Sequence, residues 1–227
     1  MSWTRIQGVA TNQSGTGVFG SNVVAGNLLV VDIFIESVGA TVASITDTLG
    51  TVYVAATGYG TLTGIGVCIT YIGLAPSSGA NTVSITSSAG VINNLITEMH
   101  EDSTGPSTTV DVLGTVAGGN STTPTSNSIT TTTSGALLWG TVLNQLVNYS
   151  SGLTAGWTHP ANADSTFNEI FDNFESLANA ASPGSYSFTT TYAGSAPWVV
   201  QIFAIKPKTI VAAPLPASRG DMRQRRG

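Results

Sequence analysis

The residues best equipped for chemistry sit in the run "TEMHED", Thr97 to Asp102, which gathers Glu98, His100, Glu101 and Asp102. A Glu, a His and a further carboxylate together can bind zinc or calcium, the calcium through the carboxylate oxygens. If residues 94 to 100 run as a strand, Glu98 and His100 share one face. The chain has only two histidines, and the second, His159, precedes Pro160 in a stretch read as loop. The matching strand in the second half of the chain ends "FAIKP", with no ligand. "TEMHED" is therefore expected to be a solvated strand end, and no metal or cofactor is expected.

Other chemistries find less support. A glycosidase needs two opposed carboxylates about 5 to 9.5 Å apart. Asp32 with Glu36, or Glu169 with Glu175, would be the pairs to test. No G-x-S-x-G elbow occurs, and the Gly-rich "GYGTLTGIG" (58–66) lacks the lysine of a phosphate loop, so it is expected to be a hairpin tip. Sugar binding needs exposed rings to stack on. Tyr59 and Trp157, both near turns, are the candidate glycan contacts, whereas Trp139 and Trp198 lie in apolar runs and are expected in the core. Cys68 is the only cysteine, so no disulfide closes within the chain, and its apolar run "GVCITYI" implies a buried, inert thiol. The chain is expected not to be an enzyme.

Charge gives the stronger lead. Only 8% of the 227 residues are charged, against about 25% in an ordinary soluble domain. Residues 1 to 205 carry eleven carboxylates and a single base, Arg5, for a net −10. Residues 206 to 227 carry Lys206, Lys208, Arg219, Arg223, Arg225 and Arg226 against Asp221, for +5. An acidic body repels nucleic acid, while a basic arm attracts any acidic surface within a Debye length, ~8 Å at physiological salt. The six basic residues are the expected partner-docking set. The Arg-Gly-Asp tripeptide at Arg219 to Asp221 is too short a match to weigh.

The elements that must position these residues read as strands. Thr (33), Ser (25) and Gly (26) replace the missing charge, favouring extended backbone and tight turns. Strand signals fall at 4–11, 27–36, 43–47, 51–57, 66–73, 81–87, 94–100, 108–115, 128–133, 136–144, 186–192 and 198–205. One segment conflicts: "DSTFNEIFDNFESLANAA" (164–181) spaces Phe167, Ile170, Phe171, Phe174 and Leu177 as a helix would.

Internal comparison argues for a strand there. "GNLLVV" (26–31) matches "GALLWG" (135–140), and "SITDTLGTVY" (44–53) faces "GLTAGWTH" (152–159). "GVCITYIGLA" (66–75) falls opposite "EIFDNFESLA" (169–178), "PSSGANTVSIT" (76–86) opposite "ASPGSYSFTTT" (181–191), and "NLITEMHE" (94–101) opposite "WVVQIFAIK" (198–206). The offset stays between about 103 and 109 residues, in order, as an internal repeat requires. The expected architecture is all-β: an antiparallel, jelly-roll-like β-sandwich spanning 1–205. It is built from duplicated halves, about 20–113 and 129–205, joined by the linker "GTVAGGNSTTPTSNS" (114–128). Pro207, Pro214 and Pro216 mark residues 206–227 as an extended arm.

The succession "GNLLVV", "SITDTLGTVY", "GANTVSIT", "TTTTSGALLWG", "GLTAGWT", "PGSYSFTTT" and "WVVQIFAIKP" resembles a family of Thr/Gly-rich β-sandwich proteins of tailed phages and environmental bacteria. The resemblance spans about residues 20 to 207. The chain departs from that pattern at Thr51, where an Asn commonly follows the turn glycine, and in its basic arm. It implies a virion or surface component and carries no catalytic residues. The start "MSWTRIQGVATNQSG" lacks the apolar core of a secretory signal, and "NLLVVDIFI" is too short to span a bilayer. The expectation is a non-enzymatic capsid decoration protein on a particle surface, homo-oligomeric and docked to capsid or neighbouring subunits by its arm, away from membrane and nucleic acid. The alternative is a carbohydrate-binding or adhesive surface or tail module.

Overall fold

The computed structural model describes residues 2–11, 13–102, 104–145, 149–151, 153–158, 164–167 and 171–209, with backbone alone at 149–151, 164–167 and 171–178. The described residues contain strands and no helix. In chain order the first half holds β1 (Trp3–Thr11), β2 (Thr16–Val18), β3 (Leu28–Ile35), β4 (Val42–Asp47), β5 (Val54–Ala55), β6 (Gly60–Leu62), β7 (Gly66–Leu74), β8 (Thr82–Ser87) and β9 (Ile92–Glu101). Then come β10 (Pro106–Leu113), β11 (Ala117–Ser121), β12 (Ile129–Thr130), β13 (Ala136–Gln145), β14 (Tyr149–Ser151), β15 (Asp164–Phe167), β16 (Phe171–Ala180), β17 (Ser185–Tyr186), β18 (Thr191–Tyr192) and β19 (Ala196–Pro207).

Two six-stranded antiparallel sheets dominate. The first runs β1-β9-β3-β7-β5, with β6 also on β7; the second runs β10-β19-β13-β16-β15, with β11 also on β19. They pack on each other through Leu28, Val30, Ile72 and Met99 from one side and Leu137, Trp139, Phe203 and Ile205 from the other. The outward side chains of the first sheet, among them Leu29, Val31, Ile33 and Ile69, meet Val83 and Ile85 of β8, which pairs with β2 and β4. Those of the second, among them Leu138, Val142, Val200 and Ile202, meet Ile129, Trp157, Phe188 and Tyr192.

This layering explains the hydropathy pattern. β3 and β13 are covered on both faces, so they read as largely apolar runs, interrupted only by the buried Asp32 in β3 and by Thr141, Asn144 and the terminal Gln145 in β13. β8 is covered on one face, so Val83 and Ile85 alternate with Thr82, Ser84 and Thr86.

The two halves also share backbone bonds. Gly26 N–H donates to Ala75 O at 2.8 Å, and Gly135 N–H to Ala180 O at 2.7 Å. Both glycines have positive φ, +83° and +74°, which a side chain would strain. Thr48 exchanges backbone and hydroxyl bonds with Thr82, and Thr154 does the same with Thr189. Phe19 N–H donates to Asn81 O, and Ser126 N–H to Phe188 O.

The strand expected from the internal comparison is present: despite the helical spacing of this segment, residues 164–167 and 171–180 are strands, and β16 finds a ten-residue backbone ladder along β13. The structure corrects three other expectations. The stretch 114–128 is not only linker: Ala117–Ser121 pairs with the start of β19. The extended runs expected at 51–57 and 186–192 shrink to β5, and to β17 and β18, where turns interrupt pairing. Finally, residues 206–208 belong to the body. β19 continues through Pro207 opposite Pro106, and Lys208 N–H donates to Gly105 O at 2.9 Å.

Candidate functional site

The residues of "TEMHED" lie at and just beyond the end of β9, where distant elements meet them. Glu98 is fully buried and accepts from Gln7 Nε2 at 2.6 Å, Val24 N–H at 2.9 Å and Asn27 Nδ2 at 2.7 Å. A carboxylate can only accept, so Asn27 must turn its amide nitrogen to Glu98 and its Oδ1 to the ring of His100, 2.8 Å away. His100 Nδ1 is then a donor, and Nε2 lies 4.0 Å from Asp102 Oδ1. Glu98 and His100 do share a face of the strand, joined through Asn27.

A cleft of about 220 Å³ opens beside this relay, with Asn27, Leu74, His100, Thr104, Pro106 and Lys208 on its walls. Lys208 is exposed and comes from just beyond β19, fixed at its backbone to Gly105. Glu101 is buried and takes the N–H and hydroxyl of Thr104, at 2.6 and 2.8 Å, shaping the turn that closes the cleft. The arrangement places an imidazole held at Nδ1 by Asn27 and the exposed side chain of Lys208 around one open notch. It holds no set of three ligands: among the described residues no three of His, Cys, Asp and Glu cluster as a metal site would need.

The other candidates fall elsewhere. Lys206 Nζ lies 3.3 Å from Asp111 Oδ1, so this member of the expected docking set is paired within the chain. Asp111 also takes the N–H groups of Thr132 and Thr133, at 2.8 and 3.2 Å, and the Thr132 hydroxyl. Burial raises the Asp111 pKa, but the Thr132 bonds, Lys206 and Thr133 outweigh it and hold the carboxyl below its ordinary range. Arg219, Arg223, Arg225 and Arg226 lie outside the described residues, as do His159 and Glu169 and the side chain of Glu175.

Trp157 is not a glycan platform. It is 7% exposed and packs on Phe188 with ring centroids 5.0 Å apart, because the Thr154–Gly156 turn folds it under the second sheet. Tyr59 is exposed, and its hydroxyl accepts the Val42 N–H at 2.8 Å, which ties the hairpin to β4. Trp139 is fully buried as expected, whereas Trp198 is only half-buried, its Nε1 donating to Ser121 Oγ at 3.0 Å. Asp32 is sealed between the two large sheets and cannot face a substrate with Glu36, which accepts from Asn93 Nδ2 at 3.0 Å.

Sequence reasoning missed Asn27 and the position of Lys208. Asn27 had a signal: it stands where the repeat partner motif carries Ala136, an amide in an apolar slot. Lys208 had none, since only the β10–β19 register brings it to the β9 end.

No protein-family model, no curated protein and no solved structure matches this chain.

Proposed function

We propose that this chain is a non-enzymatic structural protein of a virion, a decoration or cement protein of a tailed-phage capsid, held in place by its basic C-terminal arm. The observation that carries the proposal is the charge partition: a body at −10 followed by an arm at +5. Lys208 lies beside the His100 cleft, its N–H bonded to Gly105 O, so the described chain ends at a position tied to the body. Because Lys206 is paired internally, the docking set narrows to Lys208, Arg219, Arg223, Arg225 and Arg226. Arginine suits the task, since its planar fork grips carboxylates in pairs of bonds.

In this proposal the body is a pair of β-sandwich halves descended from one duplicated unit. The shared strand succession and the paired bonds of Gly26 with Gly135, Thr48 with Thr154 and Phe19 with Ser126 support that descent. A knob of this kind needs a stiff, weakly charged surface more than a reactive one. A carbohydrate-binding module remains the alternative, and with Trp157 buried it would have to work from Tyr59 alone.

The test is composition and incorporation. Mass spectrometry of purified particles should find the chain at fixed stoichiometry. Replacing Arg219, Arg223, Arg225 and Arg226 with glutamine should leave a folded protein that no longer joins them. Normal incorporation of that variant would sink the proposal.

A further inference from the structure

Among the described residues β11 pairs with β19 alone, so its second edge presents unpaired backbone N–H and C=O groups. Gly118, Gly119 and Asn120 on it are exposed. Proteins usually protect such edges with charge, proline or a covering segment, because a bare edge templates another strand. Here residues 114–123 contain no charge and no proline. A cleft of about 340 Å³ adjoins the edge, between Thr61, Leu62 and Thr63 of the β6 hairpin and Gly118, Gly119 and Pro197. Leu113 and Val116, just upstream, are 47% and 42% exposed. The edge is therefore extended, uncharged and bordered by a notch that an aliphatic side chain can fill.

The chain supplies a segment of matching chemistry. Directly after Thr209 it reads Ile210, Val211, Ala212, Ala213 and then Pro214. Two β-branched residues favour the extended state, two alanines fit against glycine, and the proline ends a ladder because it lacks an N–H. Four residues extend ~13 Å, close to the span of β11. The segment cannot reach its own β11. β11 lies against residues 196–200, whereas the arm departs after 207 at the far end of the same strand. Returning from 207 to 198 requires ~30 Å of chain, and Ile210 follows too soon to cover it.

We propose that Ile210 to Ala213 of one copy add to the free edge of β11 in a neighbouring copy, placing a β-branched side chain in the 340 Å³ notch. Main-chain bonds would give the affinity and the notch the register, as in other strand-addition interfaces. The arginines downstream then lie over the neighbour's acidic body. This rests on residues beyond 208 acting as a docking arm, and it names the surface they dock to.

The test uses the full chain. Sedimentation should show self-association with rising concentration, and hydrogen exchange should show Gly118 to Asn120 gaining protection in step. Val211→Pro should weaken association more than about tenfold, while Val211→Thr, still β-branched, should retain it. If the four-arginine variant dissociates while Val211→Pro associates normally, the arm docks but not as a strand, and the proposal is overturned with the arm left standing. Protection of 118–120 that survives Val211→Pro means that β11 edges pair with each other, which also overturns it. A chain that stays monomeric at all concentrations removes both.

Discussion

Trp139 Nε1 donates to Asp32 Oδ2 at 3.0 Å, a bond that crosses from the second six-stranded sheet to the first. Both side chains are buried, at 0% and 2% exposure, and the Thr70 hydroxyl donates to the other carboxylate oxygen. The two halves thus meet around a carboxylate whose donors come from both. Removing the indole donor by Trp139→Phe should cost about 1–3 kcal/mol, the penalty for a buried polar group left short of a partner. Urea denaturation followed by circular dichroism measures it. Combining Trp139→Phe with Asp32→Leu should cost less than the sum of the single changes, because no charge is then left buried.

Cys68 lies in the same seam. Burial, with the Asp32 charge adding to it, pushes its thiol up to about 12. The thiolate is the reactive form. A disulfide reagent at pH 8 should leave the native protein unlabelled and react fully once denaturant is added. Rapid native labelling would mean that the seam opens.

Acid should destabilise the fold through Asp47 and Asp111. Asp47 Oδ1 takes the N–H groups of Leu49 and Thr51, and Oδ2 takes Asn81 and the Tyr53 hydroxyl. Burial raises its pKa, yet these bonds together bring it below the ordinary 3.8. Asp111 is lowered likewise. A carboxyl lowered on folding contributes stability above its unfolded pKa and loses it as pH falls through the folded one. Melting temperature should hold down to about pH 4 and then decline. In Asp47→Asn and Asp111→Asn the decline should be shallower.

The two aromatic candidates should separate cleanly. Trp157→Ala removes a packed core ring and should cost about 3–5 kcal/mol. Tyr59→Ala should cost about 1 kcal/mol or less. Thermal melts decide between them. A glycan array that detects sugar binding lost in Tyr59→Ala would favour the carbohydrate-binding alternative.

Asn27→Ala gives the first half the alanine that the second half carries at Ala136. It strips a donor from Glu98 and the acceptor from His100 Nδ1. Stability should fall by about 1–3 kcal/mol, and nitrogen NMR should show a changed proton occupancy at His100 Nδ1. An unchanged Nδ1 would mean that the ring is oriented by something other than Asn27.

Much of the fold was legible because its signals are local. β3, β7, β13 and β19 are largely apolar runs bounded by turn residues, and aligning "EIFDNFESLA" with "GVCITYIGLA" pointed to a strand where Phe167, Phe171 and Phe174 suggested a helix. β11 was missed because glycine and asparagine have no strand propensity; only its register with β19 makes it extended. Trp157 and Trp198 were interchanged for a similar reason. The first sits near a turn and the second in an apolar run, but burial depends on which sheet each packs under. The candidate site was half legible. "TEMHED" announced itself by composition, whereas Asn27 and Lys208 reach it only through pairing between distant strands.

In each large sheet the strand made last sits next to the centre: β9 between β1 and β3, and β19 between β10 and β13. On the ribosome, where residues emerge at ~5–20 per second, β13 must wait with one flank bare until Ala196 to Pro207 has cleared the exit tunnel. A message cut short before that point yields a chain with an open, apolar strand edge and no way to close it. Synthesis of this protein therefore favours prompt completion, and truncated products are expected among its aggregates.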